Sequence, residues 1–119
     1  MHTINIKLDN PPADVAVANL QQEIELCSLA KIDIIKVIHG YGSHGKGGLI
    51  KTEITKLLKT LKAKKKIVDF IPGEHFSQSL KYYKKLVEVY PEIILDSDLY
   101  PPNFGLTLVI LKLGGFGNI

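Results

Sequence analysis

The alternation of apolar and polar positions at the start of the chain predicts a β-strand with one buried face. Ile4, Ile6 and Leu8 are apolar and are separated by polar residues, which is the two-residue period of a strand. A helix is predicted next, over residues 12–29, because Asn10 can cap it and the following prolines are tolerated in its first turn. Its predicted buried stripe recurs at helical spacing and consists of Val17, Leu20, Ile24 and Cys27.

The middle of the chain predicts two further strands with a second amphipathic helix between them. Residues 32–38 are apolar at both odd and even positions, which is typical of an inner strand covered on both faces. Residues 67–71 are predicted to form the third strand, and the Pro72-Gly73 pair is predicted to end it. The buried stripe of the helix between these strands is predicted to be Ile50, Ile54, Leu57, Leu58 and Leu61.

The last third of the chain predicts a peripheral helix, a long loop and a final strand. The helix opens near Ser77 and stops before Pro91. Residues 91–103 are rich in Pro, Asp and Ser and are predicted to be a loop, whereas residues 106–113 predict a second strand of the buried type. The predicted buried face of the third helix consists of Leu80, Tyr83, Val87 and Tyr90.

The predicted order of elements is β-α-β-α-β-α-β, an α/β sandwich. It has a four-stranded mixed sheet, two main helices and a peripheral third helix. A chain of 119 residues has room for one core, so we expect one domain over residues 1–113 and a glycine-rich tail at 114–119. Cys27 has no partner for an internal disulfide, and neither a signal segment nor a membrane-spanning apolar run is evident. These features favour a cytoplasmic protein without a membrane partner.

A segment with five glycines in ten residues, 39–48, follows the predicted inner strand and leads into the second helix. A strand, a glycine-rich turn and a helix in succession direct backbone N–H groups and the helix dipole to one point, which favours an anion such as phosphate. Lysine side chains can add charge-assisted contacts. A turn without a ligand is the alternative. The predicted phosphate-binding residues are Gly40, Tyr41, Gly42, Ser43, Gly45, Lys46, Gly47, Gly48 and Lys51, together with Lys7 near the first strand.

One specific interpretation of this segment is a nucleotide-binding P-loop. The run from Gly40 to Lys46 fits the pattern G-x-x-x-x-G-K-[ST] up to its last position. That last position is Gly47, which has no hydroxyl group to hold Mg²⁺. Nucleotide binding is therefore kept as the lesser alternative.

The same segment resembles the core signature of the Smr (small MutS-related) family, in which an apolar strand ends in H-G-x-G and leads through glycines into a basic helix. Here the motif is His39-Gly40-Tyr41-Gly42, and the longer glycine-rich form resembles a stand-alone bacterial subgroup. The resemblance extends to residues 11–16 and 105–109. It implies binding of DNA or RNA, nicking endonuclease activity in some members, and a fold with a four-stranded sheet and helices.

The first strand differs from that of the Smr family members associated with cleavage, which carry an L-D-x-H motif at this place. In the best register Asn5 replaces the acid and Lys7 replaces the histidine. The alternative register, Leu8-Asp9-Asn10-Pro11, keeps the acid but not the histidine, and it disturbs the predicted stripe of the first helix. An amide and an ammonium are poor partners for a general base or a metal, so nucleic-acid binding survives this change more readily than catalysis. His39 is the candidate catalytic residue, as a base or a phosphate ligand, and shaping the turn is its alternative role.

The charge of the chain is mildly basic, with a net charge of +3 and a pI near 8.9. All fifteen cationic side chains are lysines, and the lack of arginine disfavours base-specific reading of the major groove. The DNA or RNA partner that the resemblance implies is therefore expected to be recognised by backbone and shape. The rival hypothesis is a non-catalytic interaction module in a homo-oligomer or in a larger repair or translation complex. No cofactor and no metal are predicted, because the histidines and the lone cysteine lack the spacing of a zinc site.

Overall fold

The computed structural model describes residues 1–40, 48–76, 83–93, 96, 99 and 103–112. Its order of elements confirms the predicted α/β sandwich on a four-stranded mixed sheet, with two long helices and a short third one. None of the helices in these ranges has the length and apolar character that crossing a membrane requires. The strands are His2–Asn5 (β1), Ile34–Ile38 (β2), Asp69–Pro72 (β3) and Leu106–Ile110 (β4), and the helices are Ala13–Leu29 (α1), Gly48–Ala63 (α2) and Tyr83–Val89 (α3).

The strand order in the sheet is β1-β2-β4-β3, so β2 and β4 are the inner strands. β1 pairs with β2 in parallel, and β4 runs antiparallel to both of its neighbours. β1, β2 and β3 consequently point in one direction. Their carboxyl ends and the start of β4 share one edge of the sheet, which we call the carboxyl edge. Ligand crevices of open α/β sheets form at such edges.

The sheet is covered on both faces, which explains why its inner strands are apolar at odd and even positions. α1 and α2 pack on one face, where β2 contributes Ile35 and Val37. α3 and the segments around it pack on the other face, where β2 contributes Ile34. Lys36 also lies on this second face, and its Nζ is 2.9 Å from Asp96 Oδ2. Such a strand makes apolar contacts on both faces of the sheet, whereas a half-buried strand makes them on one face only.

The predicted stripe of α1 is largely confirmed, but the predicted cap is wrong. Ala16 is buried, whereas Val17 is only half-buried. The N-cap residue is Pro12, which makes no side-chain cap, and the first helical hydrogen bond runs from Ala16 N to Pro12 O at 3.0 Å. Asn10 instead lies in the preceding turn with φ 47°, a conformation that asparagine tolerates better than most residues. The other buried side chains of the stripe are Leu20, Ile24 and Cys27.

The first strand is shorter than its alternating pattern predicts. β1 ends at Asn5, although the N–H of Ile6 still donates to Ile38 O at 3.0 Å. The prediction that Leu8 is buried is wrong, because its side chain is 68% exposed. The chain turns back here, with Asp9 at φ 66° and a hydrogen bond from Asn10 N to Lys7 O. Leu8 is therefore in a turn, where strand periodicity no longer decides burial.

The third strand is displaced from the predicted residues 67–71 and ends on Pro72 rather than before it. Ile67 is nevertheless buried, and the N–H of Val68 donates to Ile110 O at 2.8 Å. A proline is tolerated here because β3 is an edge strand, where a residue can do without a donating N–H. The final strand, β4, ends at Ile110, earlier than predicted.

The region after β3 carries more of the core than its composition predicts. On α3 the fully buried side chain is Leu86, whereas the predicted Val87 is half-buried. The predicted loop at residues 91–103 contributes Ile93 and Leu99, both fully buried, to the core under β4. Ile93 ends a 3₁₀ turn, Pro91–Ile93. Leu80 and the predicted tail lie outside the described residues.

Candidate functional site

The end of β2 is tied to the start of β4 at the carboxyl edge. The backbone N–H groups of His39 and Gly40 both donate to the carbonyl oxygen of Gly105, at 3.0 Å each. Gly40 has φ +79°, a left-handed conformation that side chains disfavour and glycine adopts freely. The chain thus leaves the inner strand through a fixed glycine turn. Residues 41–47 follow, and α2 begins at Gly48.

His39 is buried beneath this turn, with a relative exposure of 3%. Its Nδ1 lies 3.2 Å from Gly40 O, and its Nε2 lies 3.0 Å from Thr107 Oγ1 on β4. A carbonyl oxygen only accepts hydrogen bonds, so Nδ1 carries the proton and Nε2 accepts from the threonine hydroxyl. Burial is the largest influence on the ring and lowers the pKa of His39 below its ordinary value, against a smaller opposing effect of the Gly40 carbonyl. The ring is therefore neutral and connects two inner strands.

Lys7 covers Gly40 from the neighbouring strand end. A Cβ atom built on Gly40 would lie 2.9 Å from Lys7 Cδ and 3.8 Å from Lys7 Nζ. The backbone N–H of Lys7 donates to Asn5 Oδ1 at 3.1 Å, so the amide of Asn5 helps to hold the turn after β1. The Lys7 side chain is exposed. Two of the predicted phosphate-binding residues, one from each strand end, therefore lie in contact, with an ammonium group at the surface.

Lys51, in the first turn of α2, is ion-paired rather than free. Its Nζ donates to Glu74 Oε2, and it also lies 4.9 Å from the centre of the Phe104 ring. The Lys51 and Glu74 side chains are only 12% and 15% exposed. Among the described residues, the second carboxylate oxygen, Oε1, is buried without a hydrogen-bond partner. The charge of Lys51 is therefore balanced inside the protein, which the sequence-based prediction of a phosphate contact did not include.

The turn that carries Glu74 contains a glycine, Gly73, with no room for a side chain. This 3₁₀ turn, Gly73–His75, comes directly after β3. A Cβ atom on Gly73 would lie 2.2 Å from Asn103 O and 2.9 Å from Leu106 O, which is far inside van der Waals contact. The carbonyl of Gly73 in turn accepts from Asn103 N at 3.3 Å. The turn therefore packs directly on the backbone at the start of β4.

The structure brings together four of the residues singled out from the sequence, Lys7, His39, Gly40 and Lys51, at the carboxyl edge. Gly48 begins α2 with φ +65° and is exposed. Six predicted phosphate-binding residues lie outside the described residues: Tyr41, Gly42, Ser43, Gly45, Lys46 and Gly47. Sequence reasoning missed Glu74 and Thr107. The only signal for Glu74 was its position after the end of a strand, and Thr107 looked like an ordinary strand residue.

The sequence model of the Smr domain matches residues 8–75, more than half of the chain. The chain belongs to the Smr domain family. The matched residues of this Smr domain extend from the turn after β1 to the 3₁₀ turn that carries Glu74, so they include His39, Gly40 and Lys51. Smr domains generally bind nucleic acids. Comparisons with curated proteins and with solved structures gave no match.

Proposed function

We propose that this Smr domain binds nucleic acid through the sugar–phosphate backbone at its carboxyl edge. The observation that carries the proposal is the contact between Lys7 and Gly40, in which an exposed ammonium group lies beside main chain that has no side chain. The Lys7 ammonium group can donate to phosphate oxygens, whereas the N–H of Gly40 already donates to Gly105 O, so in this contact the lysine is the donor. The proposed contacts continue into the glycine-rich segment, where Lys46 supplies a second ammonium group.

The ion pair between Lys51 and Glu74 indicates that the lysines at this edge have different roles. Lys51 is neutralised by Glu74 and largely buried, so displacing its partner for a phosphate would leave a buried carboxylate without a counter-charge. We therefore propose that Lys51 stabilises the carboxyl edge and that Lys7 and Lys46 contact the phosphates of the nucleic acid. Since all cationic side chains of the chain are lysines, the expected recognition is of backbone charge and shape rather than of base sequence.

His39 has a positioning role in this proposal. Its imidazole is buried and neutral, and both nitrogens are engaged with Gly40 and Thr107. A general base needs a free nitrogen within reach of the proton that it takes, and His39 has none in this arrangement. The amide of Asn5 is likewise engaged with the Lys7 backbone. The proposed activity is therefore binding, without a nicking step.

Binding is tested by fluorescence anisotropy with labelled single-stranded DNA, duplex DNA and structured RNA across a salt titration. We expect binding to weaken with salt, and on duplex DNA each of the variants Lys7→Ala and Lys46→Ala should lower the logarithmic salt slope by roughly 0.9, the value of one lost phosphate contact. Lys112→Ala is the matched control, because Lys112 is exposed just beyond β4 at the opposite edge. Binding that does not respond to salt, or an equal loss in the control, would contradict the proposal.

The absence of a nicking step is tested separately with supercoiled plasmid and Mg²⁺ or Mn²⁺. We expect the plasmid to be retained on the protein without conversion to the nicked form. If the parent protein nicks the plasmid and His39→Ala abolishes this in a folded protein, then the positioning role of His39 is wrong and a catalytic role replaces it.

A further inference from the structure

A second set of polar side chains lies at the other end of β1, away from the carboxyl edge. The side-chain donor atoms of His2, Glu23 and Cys27 all lie within 4.8 Å of one another. His2 is the first residue of β1 and pairs with Ile35, near the start of β2. In the part of the chain that the structure describes, this is the one group of three such residues.

The fold itself brings these three residues together. Glu23 and Cys27 are four residues apart on α1, so they occupy the same face one turn apart. His2 lies on the same side of β1 as Ile4, because alternate residues of a strand share a face. Ile4 packs in the core with Cys27, and this packing fixes the position of β1 under α1. The convergence therefore depends on the core and not only on exposed side chains.

The donor set suits a particular class of metal ion. A thiolate, an imidazole and a carboxylate are ligands of Zn²⁺ and of its spectroscopic substitute Co²⁺, whereas Mg²⁺ and Ca²⁺ prefer oxygen alone. Metal–ligand distances of about 2.0–2.3 Å require donor atoms roughly 3.5 Å apart. Rotation of the exposed His2 and half-buried Glu23 side chains can bring the donor atoms to that distance. Cys27 would bind as the thiolate, and its proton would be released to the solvent.

We propose that His2, Glu23 and Cys27 form a zinc site with three protein ligands, whose fourth position is taken by water. The site would connect the edge strand β1 to α1. The spacing of histidines and cysteine along the sequence does not predict it, because the ligands come from two elements that meet only in the folded chain. The proposal is independent of nucleic-acid binding, since the two sites lie at opposite ends of β1.

The test is a Co²⁺ titration of the purified protein without a histidine tag, after treatment with a chelator. We expect one equivalent to bind and to produce a thiolate-to-metal charge-transfer band in the near ultraviolet. His2→Ala and Glu23→Gln should each weaken binding at least about tenfold, because loss of a residue that merely orients a ligand already costs that much. Cys27→Ala should abolish the band. Zn²⁺ should displace the bound Co²⁺, and the charge-transfer band should then disappear.

One control variant and one alternative test variant make the result decisive. His75→Ala removes an exposed histidine at the carboxyl edge and should leave the titration unchanged. His2→Ala keeps the test valid if Cys27→Ala fails to fold, since His2 is exposed. The proposal is overturned if the folded parent protein gives no charge-transfer band, or if His2→Ala and Glu23→Gln bind Co²⁺ as tightly as the parent.

Discussion

The ion pair between Lys51 and Glu74 makes a sharp prediction about stability. The variant Lys51→Met keeps the length of the side chain near Phe104 but removes the ammonium group that faces the Glu74 carboxylate. The carboxylate is 15% exposed and its second oxygen already has no partner in the described part of the chain. It would therefore remain in the protein without compensation, a situation that costs about 3–5 kcal/mol when a pair is fully buried.

The expected magnitude follows from the exposure of the pair. Because some solvent reaches both groups, we expect Lys51→Met to lower the free energy of unfolding by about 2–3 kcal/mol. Glu74→Gln should cost less, about 1–2 kcal/mol, because the amide still offers an oxygen to the ammonium group. In the double variant no charge is left unpaired, so its loss should be smaller than the sum of the two single losses by about 1–2 kcal/mol.

Urea denaturation of the four proteins, followed by circular dichroism, gives this double-mutant cycle. The matched control is Lys56→Met with Glu53, the next ion pair on α2, whose groups are 69% and 35% exposed and 3.2 Å apart. Exposed pairs of this kind contribute less than about 0.5 kcal/mol. If Lys51→Met costs no more than Lys56→Met, or if the losses at Lys51 and Glu74 simply add, then the pair does not hold the carboxyl edge as described.

Two further predictions concern other features of the fold. Burial lowers the pKa of His39 in the folded state, so on acidification the imidazole is protonated in the unfolded chain before it is protonated in the folded protein. The free energy of unfolding should therefore fall as the pH drops below about 6.5, with a slope of at most about 1.4 kcal/mol per pH unit. The difference in unfolding free energy between the parent and His39→Asn should show this dependence, and a difference that is constant between pH 7 and 5 would refute it. Lys65 lies in the turn just after α2 with φ 60°, so Lys65→Gly should raise stability by about 0.5–1 kcal/mol in thermal denaturation. Lys66→Gly, the neighbouring control at a position without positive φ, should lower stability instead.

The sequence by itself determined the elements of this protein and their order. The two-residue and helical periods of apolar positions are local properties, and they decide which face of each element can be buried. The run at residues 32–38 correctly indicated an inner strand, now observed as β2. Of the glycines after it, Gly40 and Gly48 have the positive φ that side chains disfavour, and Gly42, Gly45 and Gly47 lie outside the described residues. Periodicity failed at Leu8 because a turn ended the strand, and a strand period has no meaning in a turn.

Only the tertiary structure decided which distant side chains meet. The register of β2 against β4 places Thr107 opposite Val37 and brings its hydroxyl to His39. The packing of Gly73 on the backbone at the start of β4 brings Glu74 to Lys51. Our proposal that Lys51 stabilises the edge rather than binding phosphate rests on this ion pair. Residues far apart in the chain become neighbours only when the sheet closes its hydrogen bonds and both cores exclude water. The periodicity of apolar positions is a local property and does not specify these long-range contacts, so the partners of these side chains could not be predicted from the sequence pattern.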